Sequence, residues 1–366
     1  MNFLRRHLTT LLCLFVLVPV AIPSCTNPDV NQTIEINGET MGTAYMVKIC
    51  VDPRYPEQRI KKTEKDIASI LVQINQQMST YIPDSEISLF NKYRGSDWFP
   101  VSVNTAAVVK QALEVSEATG GAFDMTIGNV VNAWGFGPIA RKPRVPSDLQ
   151  IGRALVRSGY QKVEVRLSPA SLKKSRPDVY CDLSGIAKGY AVDRISGYLD
   201  ISGHVDYVVE IGGEVRARGR NDRNSCWQIG ISKPQETVGV TRIISLKNAA
   251  MATSGNYLNY FESGGKKYSH LIDPRTGYPI EHNVVSAAVV HNQCAYADAM
   301  ATAISVLGPE DGYELAVELS LAVHLIIDTG RGYKEITTPE FDRLYPKREE
   351  PATTALSRHA IDAGHI

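Results

Sequence analysis

The stretch SHLIDPRTG, from Ser269 to Gly277, brings a histidine, a carboxylate and an arginine together in one short segment. His270 and Asp273 could act as an acid/base pair. They could equally be two polar residues where a strand becomes a loop, because Asp, Pro and Gly recur in turns for conformational reasons. This motif alone therefore leaves a catalytic and a structural interpretation open.

The segment CDLSGIAKGYAVDRISGYLD places Asp182 and Ser184 before a helical run that contains Lys188. Asp and Ser are preferred N-caps, so these two residues could simply begin a helix. Free amides at a helix start, with a lysine nearby, would also suit a phosphate group. The sequence has no GxxxxGK[ST] pattern, so this segment is not a P-loop.

The segment CAYADAMATAISVLG carries Asp298 and Thr302 on an otherwise apolar helix. A spacing of four puts both side chains on one face of that helix. Thr302 could be a structural residue that bonds back to a helix carbonyl. Alternatively, the carboxylate and the hydroxyl are hard oxygen ligands of the kind that Mg²⁺ prefers.

A third group of residues could wall a binding pocket for a flat ring system. In GGAFDMTIGNVVNAWGFG, Asp124 lies among glycines and aromatic residues. Phe123, Trp134 and Phe136 could be ordinary core residues, since large aromatic side chains usually pack inside proteins. Together with Met41 and Tyr81 they would also suit a pocket with apolar walls and a few polar groups. The dinucleotide fingerprint GxGxxG does not occur, which gives no support to a Rossmann site.

The elements that must position these residues are read from periodicity. TIEINGETMGTAYMVKICV alternates apolar and polar residues around a glycine, which predicts a hairpin. Apolar spacing predicts helices in RIKKTEKDIASILVQINQQMS and in NTAAVVKQALEVSEATGG, the second with Asn104 as N-cap. Gly212 and Gly213 could form a bulge in VEIGGEVRARG. Helices and strands alternate without a regular βαβ rhythm, so we predict an α+β fold with largely antiparallel sheets and packed helices.

The N-terminal segment MNFLRRHLTTLLCLFVLVPVAIPSC has the features of a secretory signal peptide. Arg5 and Arg6 precede an apolar run from Leu11 to Ile22, and a small residue precedes Cys25. A transmembrane anchor would need about 20 apolar residues, more than this run supplies. The ending resembles the lipobox of bacterial lipoproteins, in which the cysteine is lipidated, although Pro23 departs from the usual pattern. We therefore expect export and lipid anchoring to the bacterial inner membrane, on the periplasmic side.

Composition limits the remaining possibilities. The 366 residues include 39 Lys+Arg and 39 Asp+Glu, so no bulk positive field draws in nucleic acid. The six cysteines are widely spaced without CxxC pairs and define neither a zinc site nor a disulfide framework. We expect four segments: a signal peptide at 1–24, a lipidated tether at 25–32, a folded domain at 33–340 and a polar C-terminal tail at 341–366.

The ordered set ETMGTAY, GAFDMTIG, DLSGIAKGYAVD, IGGEVRARG, YSHLIDPRTGYPI and ADAMATA closely resembles the ApbE family of FAD:protein FMN transferases. The similarity extends over about residues 33–340, and its motifs occur in the family's order and spacing. The resemblance implies an ApbE-like fold and Mg²⁺-dependent transfer of the FMN half of FAD to a threonine of a target protein, with AMP released. It also implies an acceptor with a D-x-x-[ST]-G-A-T type motif, as in subunits of membrane redox pumps.

Carried over residue by residue, the resemblance assigns roles to the motifs above. His270 corresponds to the candidate base that takes the proton of the acceptor threonine, while the Ile272 main chain and Asp273 would fix the loop. Some family members carry an acidic residue at the position of Lys188, which argues against a direct catalytic role for it. The resemblance assigns Mg²⁺ to Asp298, Thr302 and a backbone oxygen of Gly185. It places around FAD Met41, Tyr81, Ala122, Phe123, Asp124, Asp182, Lys188 and Ile272.

Two other functions remain compatible with the sequence. Some relatives hydrolyse FAD to FMN and AMP, which would make the protein a metal-dependent pyrophosphatase. A flavin-binding lipoprotein that stores the cofactor without chemistry is the other alternative. The products distinguish them: protein-bound flavin with AMP indicates transfer, free FMN with AMP indicates hydrolysis, and unchanged FAD indicates storage.

Overall fold

The computed structural model describes residues 31–138, 143–232, 240–255 and 260–347. Within these ranges the chain forms nine α-helices, a short 3-10 helix at Tyr160–Lys162 and fifteen β-strands. The helices are α1 (Glu57–Met78), α2 (Glu86–Lys92), α3 (Val103–Ala118), α4 (Gly128–Trp134), α5 (Asp148–Leu155), α6 (Ala187–Ile201), α7 (Cys294–Leu307), α8 (Asp311–Glu318) and α9 (Pro339–Leu344). The strands are β1 (Gln32–Thr40), β2 (Thr43–Val51), β3 (Phe99–Pro100), β4 (Val163–Leu167), β5 (Ala170–Lys174), β6 (Tyr207–Ile211), β7 (Glu214–Arg218), β8 (Trp227–Ser232), β9 (Val240–Leu246), β10 (Ala249–Gly255), β11 (Tyr260–Ser263), β12 (Lys266–Ser269), β13 (Val284–His291), β14 (Ala322–Asp328) and β15 (Tyr333–Thr337).

An eight-stranded sheet lies at the centre of the molecule. Its order is β1-β2-β6-β7-β10-β13-β14-β15. Every neighbouring pair in it is antiparallel. Three smaller sheets have the orders β3-β5-β4, β8-β9 and β11-β12. This architecture confirms the predicted α+β class with largely antiparallel sheets.

Both faces of the central sheet are covered, which explains why its middle strands are apolar along their length. Strand β13 is buried at seven of its eight residues. Val284, Ala287 and Val289 join the main core, formed with helices such as α6 and α7, and a shift of register lies between Val284 and Ser286. The residues between them join a second core on the opposite face, which includes Trp227 of β8 and Phe341 of α9. A strand covered on both faces cannot show a polar side, and so reads as a continuous apolar run.

Two tight hairpins confirm one expectation and correct another. The predicted hairpin is formed by β1 and β2, with Thr40 paired to Thr43 across a two-residue turn. Gly212 and Gly213 instead form the turn between β6 and β7, at φ 57 and 97. The bulge prediction is therefore wrong. Positive φ at both central positions is what a two-residue hairpin requires, and glycine adopts it without steric cost.

Helix α3 begins before the expected cap. Ser102 is its N-cap, and the Ser102 hydroxyl accepts a hydrogen bond from the Thr105 amide at 3.1 Å. Asn104 lies inside the first turn, where its side chain instead donates to Gln77 at 3.4 Å. The predicted cap at Asn104 is wrong because serine, two residues earlier, already satisfies a free amide of the first turn.

The folded elements extend to Leu344, past the expected boundary at residue 340. Thr338 caps α9, and Phe341 in that helix is fully buried. This apolar anchor holds the last helix on the sheet. The expected signal peptide, Cys25 and most of the tail lie outside the described residues. Among the described helices, none is both long and apolar enough to span a membrane.

Candidate active site

A cleft of about 940 Å³ opens where several loops meet the central sheet and helix α7. This volume lies in the range of small-molecule and cofactor sites, about 300–1,000 Å³. Its walls come from chain segments distant in sequence, including the 122–127 loop, the start of α6 and the His270 loop. The cleft is lined by eleven of the twelve proposed site residues: Tyr81, Ala122, Phe123, Asp124, Asp182, Gly185, Lys188, His270, Ile272, Asp298 and Thr302.

Met41 is the proposed site residue that does not line the cleft. It lies in the turn between β1 and β2 with φ 52, where its partly buried side chain packs against the main core. The structure therefore brings the other proposed residues together and leaves Met41 at the neighbouring hairpin.

Helices α6 and α7 cross at Gly189, and this crossing fixes Asp298. A Cβ at Gly189 would lie 2.4 Å from the backbone oxygen of Cys294, so only glycine fits there without a shift. The close approach lets the Gly189 amide donate to Asp298 Oδ2 at 3.0 Å. Asp298 thus satisfies a free amide in the first turn of α6, whose N-terminus favours a negative charge.

Lys188 links two buried carboxyl groups in the cleft. Its Nζ donates to Glu214 Oε1 at 2.5 Å, and the Glu214 side chain is 1% exposed. Burial alone would lower the pKa of Lys188, but the charges of Asp298 and Glu214 outweigh it and raise that pKa. Burial and the nearby charge of Asp298 raise the pKa of Glu214 to about 8, against the opposing effect of Lys188. The lysine is therefore a cation that binds Glu214 directly and is stabilised by the nearby charge of Asp298.

The residues proposed for Mg²⁺ all line the cleft. A Cβ at Gly185 would lie 3.5 Å from Thr302 Oγ1, which places the Gly185 backbone against the threonine hydroxyl. Asp298, one helical turn before Thr302, lines the same wall of the cleft. The described residues contain no cluster of three or more His, Cys, Asp or Glu side chains that could hold a metal. One carboxylate, one hydroxyl and one carbonyl fit an ion that keeps several waters and binds substrate phosphate.

Asp182 shapes the loop before α6 rather than capping that helix. Its Oδ1 accepts from the Ser184 amide at 2.9 Å and from the Ser184 hydroxyl at 2.5 Å. The N-cap of α6 is Ile186, which makes no side-chain cap bond. The simple capping interpretation of Asp182 and Ser184 is therefore wrong. The Ile186 and Ala187 amides instead donate to the Leu183 carbonyl, and the Gly189 amide donates to Asp298.

The His270 loop answers the question raised by SHLIDPRTG. Both carboxylate oxygens of Asp273 bind the Arg275 guanidinium at 2.9 Å, and Oδ1 also accepts from the Arg275 amide at 2.9 Å. The Asp273 amide donates to the Tyr278 carbonyl at 2.9 Å. Asp273 is thus a turn-forming residue, as its position before Pro and Gly suggests. His270 lines the cleft, whereas both oxygens of Asp273 are bound by Arg275, so the described contacts of Asp273 serve the turn.

An aromatic cluster supports this loop from behind. Trp134, 1% exposed, donates its indole N–H to the Gly277 carbonyl at 2.9 Å. Phe261 and Tyr268 stack at 5.2 Å, and Phe136 meets the His270 ring edge-on at 6.4 Å between centroids. Trp134 is therefore a packing residue, whereas Phe136 and Phe123 line the cleft.

Asp124 borders the cleft with both of its oxygens engaged. Oδ1 accepts from the Thr126 amide and hydroxyl, each at 2.7 Å, and Oδ2 accepts from the Tyr160 amide at 2.8 Å. Burial raises the pKa of Asp124, while these hydrogen bonds lower it. Its described contacts hold the 122–127 loop in shape at the edge of the cleft.

Several residues of the cleft were not proposed from the sequence. They include Lys48 on β2, Glu210 on β6, Glu214 on β7 and the β8 residues Gln228 and Ile229. Glu214 had a usable signal, because it directly follows the Gly212–Gly213 turn in the motif IGGEVRARG. The others lie in ordinary strand patterns, which carry no mark of a binding site.

Comparisons with known proteins agree with this geometry. The model of the ApbE family matches residues 41–326. A curated relative from Vibrio cholerae named FAD:protein FMN transferase is 40% identical over 327 residues, covering 89% of this chain and 96% of the relative. A relative of the same name from Haemophilus influenzae is 40% identical over 323 residues, covering 87% and 93%. The solved structure of flavin transferase ApbE from Vibrio cholerae matches with a TM-score of 0.79 and 39% identity, covering 86% of this chain and 99% of that one.

Proposed function

The chain belongs to the ApbE family, and from this membership and the geometry of the cleft we propose that it is an FAD:protein FMN transferase. It moves the FMN moiety of FAD onto a threonine hydroxyl of an acceptor protein and releases AMP. The observation that carries this proposal is that His270, Lys188, Asp298 and Thr302 all line one cleft of nucleotide size. A candidate base, a fixed cation and hard oxygen ligands are the groups that phosphoryl-type transfer requires.

We propose that His270 takes the proton of the acceptor threonine. The threonine oxygen then forms a bond to the phosphorus of the FMN half. The bond from this phosphorus to the bridging oxygen breaks, and AMP leaves with that oxygen. His270 suits the role because the imidazole ring is the side chain most often used to accept a proton near neutral pH. The Asp273–Arg275 turn and the aromatic cluster hold the loop that carries it.

We further propose that Asp298, Thr302 and the Gly185 carbonyl hold Mg²⁺. The bound ion would supply charge neutralisation at the pyrophosphate. Asp298 Oδ2 is fixed by the Gly189 amide, which leaves Oδ1 for the ion. Lys188 adds a permanent positive charge, although its bond to Glu214 Oε1 suggests that it balances the carboxyl groups rather than reacts.

The flavin is proposed to lie against Tyr81, Ala122 and Phe123, which give the cleft an apolar wall. Ile272 is 6% exposed and packs with Trp134, so its backbone rather than its side chain is the part available to a ligand. Asp124 and Asp182 stand at the polar edge of the same cleft. This mixture of apolar walls and a few fixed polar groups is typical of cofactor sites.

Export and anchoring are proposed from the leader alone. The signal peptide at 1–24 would direct export, and a lipid on Cys25 would hold the protein at the periplasmic side of the inner membrane. The acceptor would be a membrane redox subunit with a D-x-x-[ST]-G-A-T type motif. Replacing Cys25 by serine should release the protein from the membrane fraction. If the Cys25 variant stays in the membrane fraction after its signal peptide has been removed, the lipid anchor is contradicted.

The decisive experiment uses the soluble chain from Thr33 with FAD, Mg²⁺ and a protein that bears the acceptor motif. Flavin fluorescence on the acceptor in a denaturing gel, with AMP in solution, is the expected result. Free FMN with AMP would indicate hydrolysis, and unchanged FAD would indicate storage. Either of these outcomes would refute the transferase proposal.

A further inference from the structure

Glu214 lines the cleft and has a buried carboxyl oxygen without a protein partner among the described residues. Its side chain is 1% exposed, and Oε1 is bound by Lys188 at 2.5 Å. Among the described residues, Oε2 has no hydrogen-bond partner. Nearly all buried polar atoms in proteins are hydrogen-bonded, so an exception that lines a cleft points to a ligand group.

The chemistry around Oε2 narrows the class of that group. Lys188 supplies a positive charge next to this carboxyl and binds its other oxygen. Phosphate and ring carbonyl oxygens only accept hydrogen bonds, and an ionised carboxylate also only accepts. A ring or amino N–H only donates, so it suits the ionised carboxylate and uses only the acceptor capacity of the protonated form. A hydroxyl both donates and accepts, and therefore suits either form of the glutamate.

The position of Glu214 is fixed by its surroundings. It is the first residue of β7, directly after the Gly212–Gly213 turn. The Gly213 amide donates to Glu210 Oε1 at 2.6 Å, which ties the turn to β6. A carboxyl group held on a strand by a tight turn and a lysine is preorganised for a ligand.

We propose that Glu214 binds a sugar hydroxyl of the FAD substrate through Oε2, with Lys188 as the positioning residue that holds the carboxyl in place. This inference rests on the proposed function, since it assumes that FAD occupies the cleft. FAD carries hydroxyls on its ribityl chain and on its ribose. Glu214 would recognise one of them and so contribute to the choice of flavin nucleotide.

The test compares FAD with analogues that each lack one ribityl or ribose hydroxyl. Dissociation constants are measured by flavin fluorescence in EDTA, so that no substrate is consumed. One analogue should bind the native protein about tenfold or more weakly than FAD, because a hydrogen bond to a charged or buried group is of that size. If every analogue binds like FAD, the inference is wrong.

Two substitutions separate hydrogen bonding from simple charge. Glu214→Asp keeps the charge but withdraws the oxygen by one methylene. In this variant FAD and the analogue that binds the native protein weakly should therefore have nearly equal dissociation constants. Glu214→Gln removes the charge but keeps a donor and an acceptor near the same place, so its preference should largely persist. The reverse pattern, with discrimination kept by Asp and lost by Gln, would indicate an electrostatic role and overturn the proposal.

A metal-bound water is the alternative partner of Oε2, and Mg²⁺ titrations distinguish it. If Oε2 binds a metal-bound water, Glu214→Asp and Glu214→Gln should change the Mg²⁺ affinity. The ratio of the dissociation constants of FAD and each analogue should then be the same in the native protein and in both variants. This result would also overturn the proposal. Failure of the native protein to bind FAD would instead refute the proposed function, whereas binding and transfer without hydroxyl discrimination would refute only the role of Glu214.

Discussion

Replacing Gly189 by alanine should force helices α6 and α7 apart. The new Cβ would lie 2.4 Å from the Cys294 oxygen, 2.6 Å from its carbonyl carbon and 2.8 Å from the Ala295 Cα, all of them backbone atoms. Restoring ordinary contact needs a separation of about 1 Å. The same movement would stretch the 3.0 Å bond from the Gly189 amide to Asp298 Oδ2.

The size of the effect follows from three contributions. Overpacking in a core costs about 1–3 kcal/mol. Loss of a hydrogen bond to a charged group costs about 1.5–3 kcal/mol. The better helix propensity of alanine returns up to about 1 kcal/mol. We therefore expect Gly189→Ala to lower the free energy of unfolding by about 1.5–5 kcal/mol, and to weaken Mg²⁺ binding through the displaced Asp298.

Urea unfolding of the soluble chain, followed by circular dichroism, measures this change. Gly197 is the matched control, because it lies in the same helix and a Cβ there would meet nothing within 4 Å. Gly197→Ala should leave the protein unchanged or more stable by up to about 1 kcal/mol. If Gly189→Ala unfolds at the native urea concentration, the crossing is not as tight as described and the account of how Asp298 is fixed is wrong.

Three further predictions concern the chemistry and the pH dependence. His270→Ala should bind FAD with near-native affinity but transfer FMN about 10²- to 10⁴-fold more slowly; a native single-turnover rate in the folded variant would rule out the base assignment. Asp298→Ala should abolish Mg²⁺ binding measured by calorimetry, and a chelator should add no further loss of transfer; undiminished Mg²⁺ affinity would make Asp298 purely structural. Burial lowers the pKa of His324 below its usual 6.5, against the opposing effect of Glu335. As pH drops below about 6.5, the unfolded chain therefore binds a proton at this histidine more readily than the folded protein, and the free energy of unfolding should fall. The midpoint of thermal unfolding between pH 7.5 and 5 should show this loss, and a His324→Gln variant with the same pH slope as the native protein would contradict it.

The amino-acid sequence alone determined the features that depend on near neighbours in the chain. The β1–β2 hairpin followed from alternation around a glycine, and helix α7 followed from its apolar composition with Asp298 and Thr302 on one face. Local geometry suffices for such features, since periodicity and turn chemistry act over a few residues. The residues around the cleft were named from the resemblance of their motifs to the ApbE family, whereas the residue patterns alone left structural alternatives open.

Helix boundaries were predicted less well, for a local reason. Ser102 and Asn104 are both good caps, and the choice between them depends on where the preceding strand delivers the chain. The double glycine at Gly212 and Gly213 was likewise compatible with a bulge or a turn until the pairing of β6 and β7 fixed its register. Sequence patterns name the candidates at such positions, and long-range pairing selects among them.

Only the tertiary structure decided how the groups of the cleft act on one another. Lys188 meets Glu214 across 26 residues of chain, and the Gly189 amide meets Asp298 across 109. Neither contact leaves a periodic or turn signal in the sequence. Each arises because antiparallel pairing and the crossing of α6 with α7 bring distant segments together, and the pKa shifts follow from the burial that this packing creates.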